Sequence, residues 1–122
     1  MAAKQYSFGK HYLVEFIGCP GERLRYVDDI RGPLLEAARL SGATVLESYF
    51  HQFEPQGVTG MIFIAESHFS IHTWPESGYA AFDILTCGEM FPDKAIDHLN
   101  GVLQAARVEM RILTRGFSEE TS

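Results

Sequence analysis

The sequence predicts an α+β fold, a two-layer sandwich in which two helices cover one face of a mainly antiparallel sheet, in the order β-α-β-β-β-α-β. Three observations predict it. Period-two alternation of apolar residues recurs in short runs, as in His11 to Ile17. Helical spacing appears in two segments, one ending near Leu40 and one opened by Pro92. The turn-forming tetrads Gly18-Cys19-Pro20-Gly21, Glu54-Pro55-Gln56-Gly57 and Pro75-Glu76-Ser77-Gly78 punctuate these runs. No repeat, low-complexity tract or linker divides the 122 residues, so they read as one domain. A domain this short buries only about two-thirds of its unfolded surface. With helices on one face, the other face of the sheet needs a cover, which points to a dimer.

The first strand, His11 to Ile17, alternates Tyr12, Val14 and Phe16 with Leu13 and Glu15, and ends at the Gly18 turn. From Asp28 to Leu40, Ile30, Leu34, Ala37 and Ala38 recur at helical spacing, with Gly42 at the C-cap position. Gly32-Pro33 predicts a kink or restart there, because proline lacks the N–H a helix interior needs. Ala43 to Phe53 is a long β-type run, and Val58 to Ala65 is apolar enough for a central strand. Phe69 to Trp74 and Tyr79 to Thr86 form a pair about the Pro75 turn. The second helix starts at Pro92 and carries Ala95, Ile96, Leu99, Val102, Leu103 and Ala106. Val108 to Leu113 closes the sheet, and Phe117 to Ser122 is expected to be loose.

Composition excludes several classes of function. Apolar residues at 46% and charged residues at 21% are the balance of a globular domain rather than of a disordered chain. The net charge of −6, with no Lys/Arg cluster, argues against a nucleic-acid binder that tracks phosphates. No apolar run reaches the ~18 residues of a membrane span, and the start MAAKQYSFGKHY lacks a signal peptide's apolar centre. The expectation is a cytoplasmic protein. Cys19 and Cys87 form no CxxC and are expected as free thiols.

Reactive side chains concentrate between Thr59 and Cys87. On a strand, His68, Ser70, His72 and Trp74 share one face while Phe69, Ile71 and Thr73 take the other. Three readings compete. A metal site could use His68 and His72 with Cys87 or His51, but four residues of strand hold the two rings roughly 13 Å apart, too far for one ion with ~2 Å bonds. A serine or cysteine hydrolase would need a nucleophile elbow, and no G-x-S-x-G is present. The third reading is histidines satisfied by hydrogen bonds on a sheet face. That suits any one of them but not the whole constellation.

The blocks Glu66-Ser67-His68, Ile71-His72-Thr73-Trp74-Pro75-Glu76 and Gly78 through Gly88, with Thr86-Cys87-Gly88 at their end, closely resemble the signature of the small bacterial and archaeal S-adenosylmethionine decarboxylases. Gly9-Lys10-His11, Ser41-Gly42-Ala43-Thr44 and Phe53 through Gly60 extend the resemblance over most of the chain, from about Gly9 to Arg115.

The resemblance implies a proenzyme that cuts itself at Glu66–Ser67 into residues 1–66 and 67–122. Ser67 attacks the preceding carbonyl, and elimination and hydrolysis turn it into a pyruvoyl group, a covalent cofactor. His72 resembles the histidine that removes the Cα proton during that elimination, a task suited to imidazole. Thr59 falls where most relatives carry a serine that donates to the processing intermediate, and threonine keeps that donor. The pyruvoyl carbonyl then takes the substrate amine and accepts the electrons released as CO2 leaves. Cys87 matches the cysteine that protonates the substrate carbon. Phe53 matches the aromatic that stacks on adenine, and Glu76 the carboxylate that accepts from the ribose hydroxyls. The implied activity makes the aminopropyl donor of spermidine and other polyamines from S-adenosylmethionine, with no metal, in a homodimer of processed protomers whose sites lie near the interface. Two other readings stay open. Some relatives decarboxylate arginine or ornithine on the same self-processing scaffold, and a paralogue could serve only as a non-catalytic partner subunit. Retention of Ser67, His72 and Cys87 together argues against the last.

Overall fold

The computed structural model describes residues 3–120, with side chains described from 4 to 119. Its strands are β1 (Ala3–Ile17), β2 (Val45–Gln52), β3 (Val58–Ile64), β4 (Ser67–Trp74), β5 (Tyr79–Thr86) and β6 (Arg107–Glu120), and its helices are α1 (Val27–Leu40) and α2 (Pro92–Leu103). All six strands form one antiparallel sheet in the order β2-β3-β4-β5-β1-β6. The expected α+β sandwich is therefore present, but with four strands between the helices instead of three. The pair about the Pro75 turn supplies two full strands, each hydrogen-bonded on both sides.

Both helices lie on one face. Ile30, Leu34, Ala37 and Ala38 of α1 and Ala95, Ile96, Leu99 and Leu103 of α2 are buried in one core with Val14, Phe16, Val58, Ile62, Phe69, Ile71, Phe82 and Ile84. Alternation in β5 is complete: Ala80, Phe82, Ile84 and Thr86 are buried, while Tyr79, Ala81, Asp83 and Leu85 look out from the opposite face. That open face also carries Tyr49, Phe63, Trp74 and Leu113, each between 43% and 59% exposed. Among the described residues, no helix is long and apolar enough to cross a membrane.

Three expectations need correction. The first helix does not restart at Gly32-Pro33; α1 runs unbroken with Pro33 inside it. The carbonyl that loses its partner belongs to Asp29, in the exposed first turn where water can replace the bond. The second helix stops at Leu103 rather than near Ala106, because Gln104 turns left-handed at φ 55° and donates its N–H to the Asn100 carbonyl at 2.8 Å. The segment from Phe117 to Glu120 is not loose but paired with β1 as far as Ala3, with the Tyr6 and Phe117 rings stacked at 4.7 Å. Residues 121 and 122, the rest of that segment, lie outside the described residues.

Gly78 closes the turn that presents Glu76. It sits at φ 62°, and a Cβ there would lie 2.7 Å from the Cys19 carbonyl oxygen. The two backbones cannot part without breaking the 2.8 Å bond from Cys19 N–H to the Gly78 carbonyl. Gly78→Ala is therefore expected to destabilise the fold by about 1–3 kcal/mol in urea denaturation; stability equal to the parent would contradict this reading of the turn.

Candidate active site

Ala65 and Glu66 form the two-residue connection between β3 and β4, whose last and first residues, Ile64 and Ser67, are paired. Such connections ordinarily place positive φ at their central residues. Here it falls on Ser67, at φ 149°, a backbone region that L-residues rarely occupy and that costs about 1–3 kcal/mol. Two donors converge on the carbonyl oxygen just before it: the Cys87 N–H at 3.0 Å and the Cys87 Sγ–H at 3.1 Å both reach the Glu66 oxygen. The Glu66 side chain is occupied separately, with Oε1 accepting from the Thr44 N–H at 3.1 Å. This corner thus combines a hydroxyl on a strained backbone with an adjacent carbonyl polarised by two donors. Cys87 is exposed and free, and with Phe8, Lys10, Tyr12, Met90 and Phe91 it lines a cleft of about 620 Å³.

A second group gathers at the other end of the central strands. Thr59 and His72 are opposite in register, and a 2.9 Å hydrogen bond joins Thr59 Oγ1 to His72 Nδ1. Both line a pocket of about 300 Å³ with Phe53, Gln56, Trp74 and Glu76. Phe53 is 48% exposed and meets the His51 ring edge-on at 4.6 Å, so its ring is available to a ligand. Gln56 reaches Glu76 with its Nε2 3.4 Å from Oε2. The residues named from the sequence therefore fall into two sets, Glu66, Ser67 and Cys87 in one, Thr59, His72, Phe53 and Glu76 in the other. His72 stands five residues beyond Ser67 on β4, which at strand rise is about 16 Å. Within one chain the two sets do not meet.

Sequence reasoning missed a third cluster, on the open face beside the first set. His11 Nε2 lies 2.5 Å and His68 Nε2 3.0 Å from the same Asp83 oxygen, Oδ2, while the Ser70 hydroxyl donates to Oδ1. Arg115 Nη1 donates to His11 Nδ1 at 3.0 Å. Burial alone would raise the Asp83 pKa, but the hydrogen bonds from His68, Ser70 and His11 outweigh it and hold the carboxyl down at about 2. Part of this cluster had a signal: the Trp74–Tyr79 pair about the Pro75 turn fixes a register that sets Ser70 opposite Asp83. His11 and Arg115 come from pairings distant in sequence, which local pattern does not reveal. Of the groups considered for a metal, His68 meets neither His72, Cys87 nor His51; its partners are His11 and Asp83. Elsewhere on the open face, Tyr79 donates to Glu15 at 2.5 Å, and burial together with that bond and the Glu15 charge pushes its pKa up to about 12.

Comparison with known proteins gives concordant matches. A family model described as S-adenosylmethionine decarboxylase matches residues 10–116. The chain is 45% identical over 117 residues to the S-adenosylmethionine decarboxylase proenzyme of Pyrococcus furiosus, covering 95% of this chain and 84% of that protein. It is 48% identical over 115 residues to the proenzyme of the same name from Thermotoga maritima, covering 93% and 88%. Among solved structures, the adenosylmethionine decarboxylase of Aquifex aeolicus superposes with a TM-score of 0.85 at 37% identity, over 95% of this chain and 97% of that one.

The Asp83 cluster has a signature in pH. A carboxyl whose pKa falls from 3.8 unfolded to about 2 folded stabilises the fold fully above roughly pH 4. That contribution, about 2 kcal/mol, is lost as the pH drops from 4 towards 2. Asp83→Asn is expected to be less stable than the parent by this amount at pH 7 and to converge with it near pH 2 in denaturant titrations. A gap that stays constant with pH would refute the assignment.

Proposed function

The chain belongs to the S-adenosylmethionine decarboxylase family, and we propose that it is a self-cleaving proenzyme whose mature form uses a pyruvoyl group made from Ser67. The observation that carries this is the Glu66 carbonyl, held by both Cys87 donors beside a strained serine. Attack by Ser67 Oγ on the Glu66 carbon expels the amide nitrogen, leaves an ester and releases residue 67 from its strained link. The two Cys87 donors meet the charge that develops on the carbonyl oxygen during that attack. Loss of the Ser67 Cα proton then ejects the Glu66 carboxylate, so that residues 1–66 end in a free acid. The dehydroalanine left at position 67 takes up water and loses ammonia. Cys87 stands at the carbonyl of the bond that is cut and lines the 620 Å³ cleft, with Gly88 against the Glu66 side chain, an arrangement that fits this product. The pyruvoyl group supplies a carbonyl that takes the substrate amine and draws off the electrons released with CO2.

His72, assigned to proton removal, lies about 16 Å from Ser67 in its own chain, so we infer a homodimer in which each site draws on both copies. A two-fold axis lying between two facing open faces and crossing β4 near its middle would set the Thr59–His72 end of one copy against the Ser67–Cys87 end of the other. It would also cover Tyr49, Phe63, Trp74 and Leu113, exposed in a lone chain. In the shared site, Thr59 orients His72 through their 2.9 Å bond, and Cys87 returns a proton to the substrate carbon. Phe53 stacks on the adenine and Glu76 accepts from the ribose hydroxyls, in line with the substrate named for the relatives. The relatives' names favour neither arginine or ornithine as substrate nor a non-catalytic partner role. The proposed setting is the cytoplasm.

Mass spectrometry of the purified chain should find residues 1–66 and 67–122 as separate pieces, and Ser67→Ala should leave one intact chain. Cleavage at this bond in Ser67→Ala would sink the processing scheme. For the substrate, kcat/KM for S-adenosylmethionine should exceed that for arginine and ornithine by at least tenfold. Phe53→Ala should lower it by about tenfold, near 1.4 kcal/mol, the scale of a lost aromatic contact. A tenfold preference for arginine or ornithine would reverse the substrate assignment while leaving the processing chemistry intact.

A further inference from the structure

Resting on the self-cleavage reading above, we propose that Asp83, His11 and Arg115 clamp the side chain of His68 and thereby position the new chain start at residue 67 after Glu66–Ser67 is cut. Before cleavage, residue 67 is held from two directions, by the Ala65–Glu66 turn to β3 and by its own strand. Cleavage removes the turn. Residue 67 then keeps its peptide bond to His68 and its place beside Thr86, and the His68 ring is the first side chain of its own strand that can anchor it.

That ring is tied down by a sequence of bonds with defined direction. His68 Nε2 meets Asp83 Oδ2 at 3.0 Å, and Asp83 is itself fixed by His11 Nε2 at 2.5 Å and by the Ser70 hydroxyl. Arginine only donates, so the 3.0 Å contact from Arg115 makes His11 Nδ1 an acceptor and leaves the His11 proton on Nε2, aimed at Asp83. The His11 and His68 rings meet edge-on at 6.1 Å and 89°. The network spans β4, β5, β1 and β6, so the anchor is referred to four strands of the rigid sheet rather than to a loop. His11, His68 and Asp83 also have the donor types of a two-histidine, one-carboxylate metal centre, with ligand atoms within 4.8 Å of one another. The protonated Nε2 of His11 has no lone pair for an ion, so the geometry favours the hydrogen-bonded clamp. These are positioning residues, acting on the reacting group through His68.

The test compares Asp83→Asn, His68→Ala, His68→Gln and the Asp83→Asn/His68→Ala double variant with the parent. Glutamine keeps an N–H donor near the place of His68 Nε2. Each variant is scored for self-cleavage by mass spectrometry and for kcat and KM on S-adenosylmethionine. All should cleave to completion, which also reports that they fold. Asp83→Asn and His68→Ala should each lose at least tenfold in kcat with KM within threefold of the parent, and His68→Gln should stay within threefold in both. The double variant should lose no more than the worse single one, within threefold, because the two residues act as one unit. The clamp is overturned if both single variants keep kcat within twofold, or if their losses multiply in the double variant. Failure of these variants to cleave overturns it too, since the cluster would then serve the precursor. So does one equivalent of zinc bound by the parent and lost in Asp83→Asn. A parent chain that never cuts itself defeats the underlying reading, and the clamp with it, whereas a cleaving parent with unaffected variants defeats the clamp alone.

Discussion

A β-strand advances about 3.3 Å per residue and cannot bring residues five positions apart to one reacting bond. Ser67 opens β4 and His72 lies five residues on, so the strand that carries both also keeps them apart. Each is instead consolidated with its neighbours across the sheet. Ser67 sits between Ile64 and Thr86 with Cys87 just beyond, and His72 sits opposite Thr59 near Phe53 and Glu76. The result is two half-sites on one rigid sheet, each well defined and neither sufficient for the proposed chemistry. Rigidity then becomes useful, because two copies docked through one interface would complete both sites with the same geometry.

The sheet's two faces divide the labour. The helices bury one face in an apolar core, and that core fixes strand register to the residue. The open face carries what such a core could not hold: the Asp83 carboxylate with its donors, the Tyr79–Glu15 pair and a scatter of aromatic side chains. A buried carboxylate without partners would be protonated or costly, and three hydrogen bonds keep this one ionised. Register slippage by one residue would turn these groups into the core, so the apolar face guards the polar one.

Much of this was legible in the sequence, for identifiable reasons. Period-two alternation told the two faces of β4 apart residue by residue, and the Pro75 turn fixed its pairing with β5. The run from Glu66 to His68 and the Thr86-Cys87-Gly88 block named the corner where hydroxyl, carbonyl and thiol meet. What was not legible depends on contacts distant in sequence. The pairing of Ala3 to Tyr6 with the chain's far end, and the reach of Arg115 to His11, follow from β1 lying between β5 and β6, an order that no local pattern announces. The restart expected at Pro33 is absent for a different reason: the carbonyl that loses its hydrogen bond lies in an exposed turn, where water can replace it. Nor does spacing along the chain reveal that the residues of one function lie in two places; only the length of the strand between them does.

Mixing two dead chains tests the shared site most directly. A Ser67→Ala chain and a His72→Ala chain, carrying different tags and produced together, form a mixed dimer that can be isolated through both tags. If each site takes Ser67 and Cys87 from one copy and His72 and Thr59 from the other, the mixed dimer has one intact site. Its His72→Ala chains should then cleave at Glu66–Ser67 and decarboxylate S-adenosylmethionine, while neither parent variant does so alone. A mixed dimer that forms and yet neither cleaves nor turns over substrate would contradict a site built from two copies.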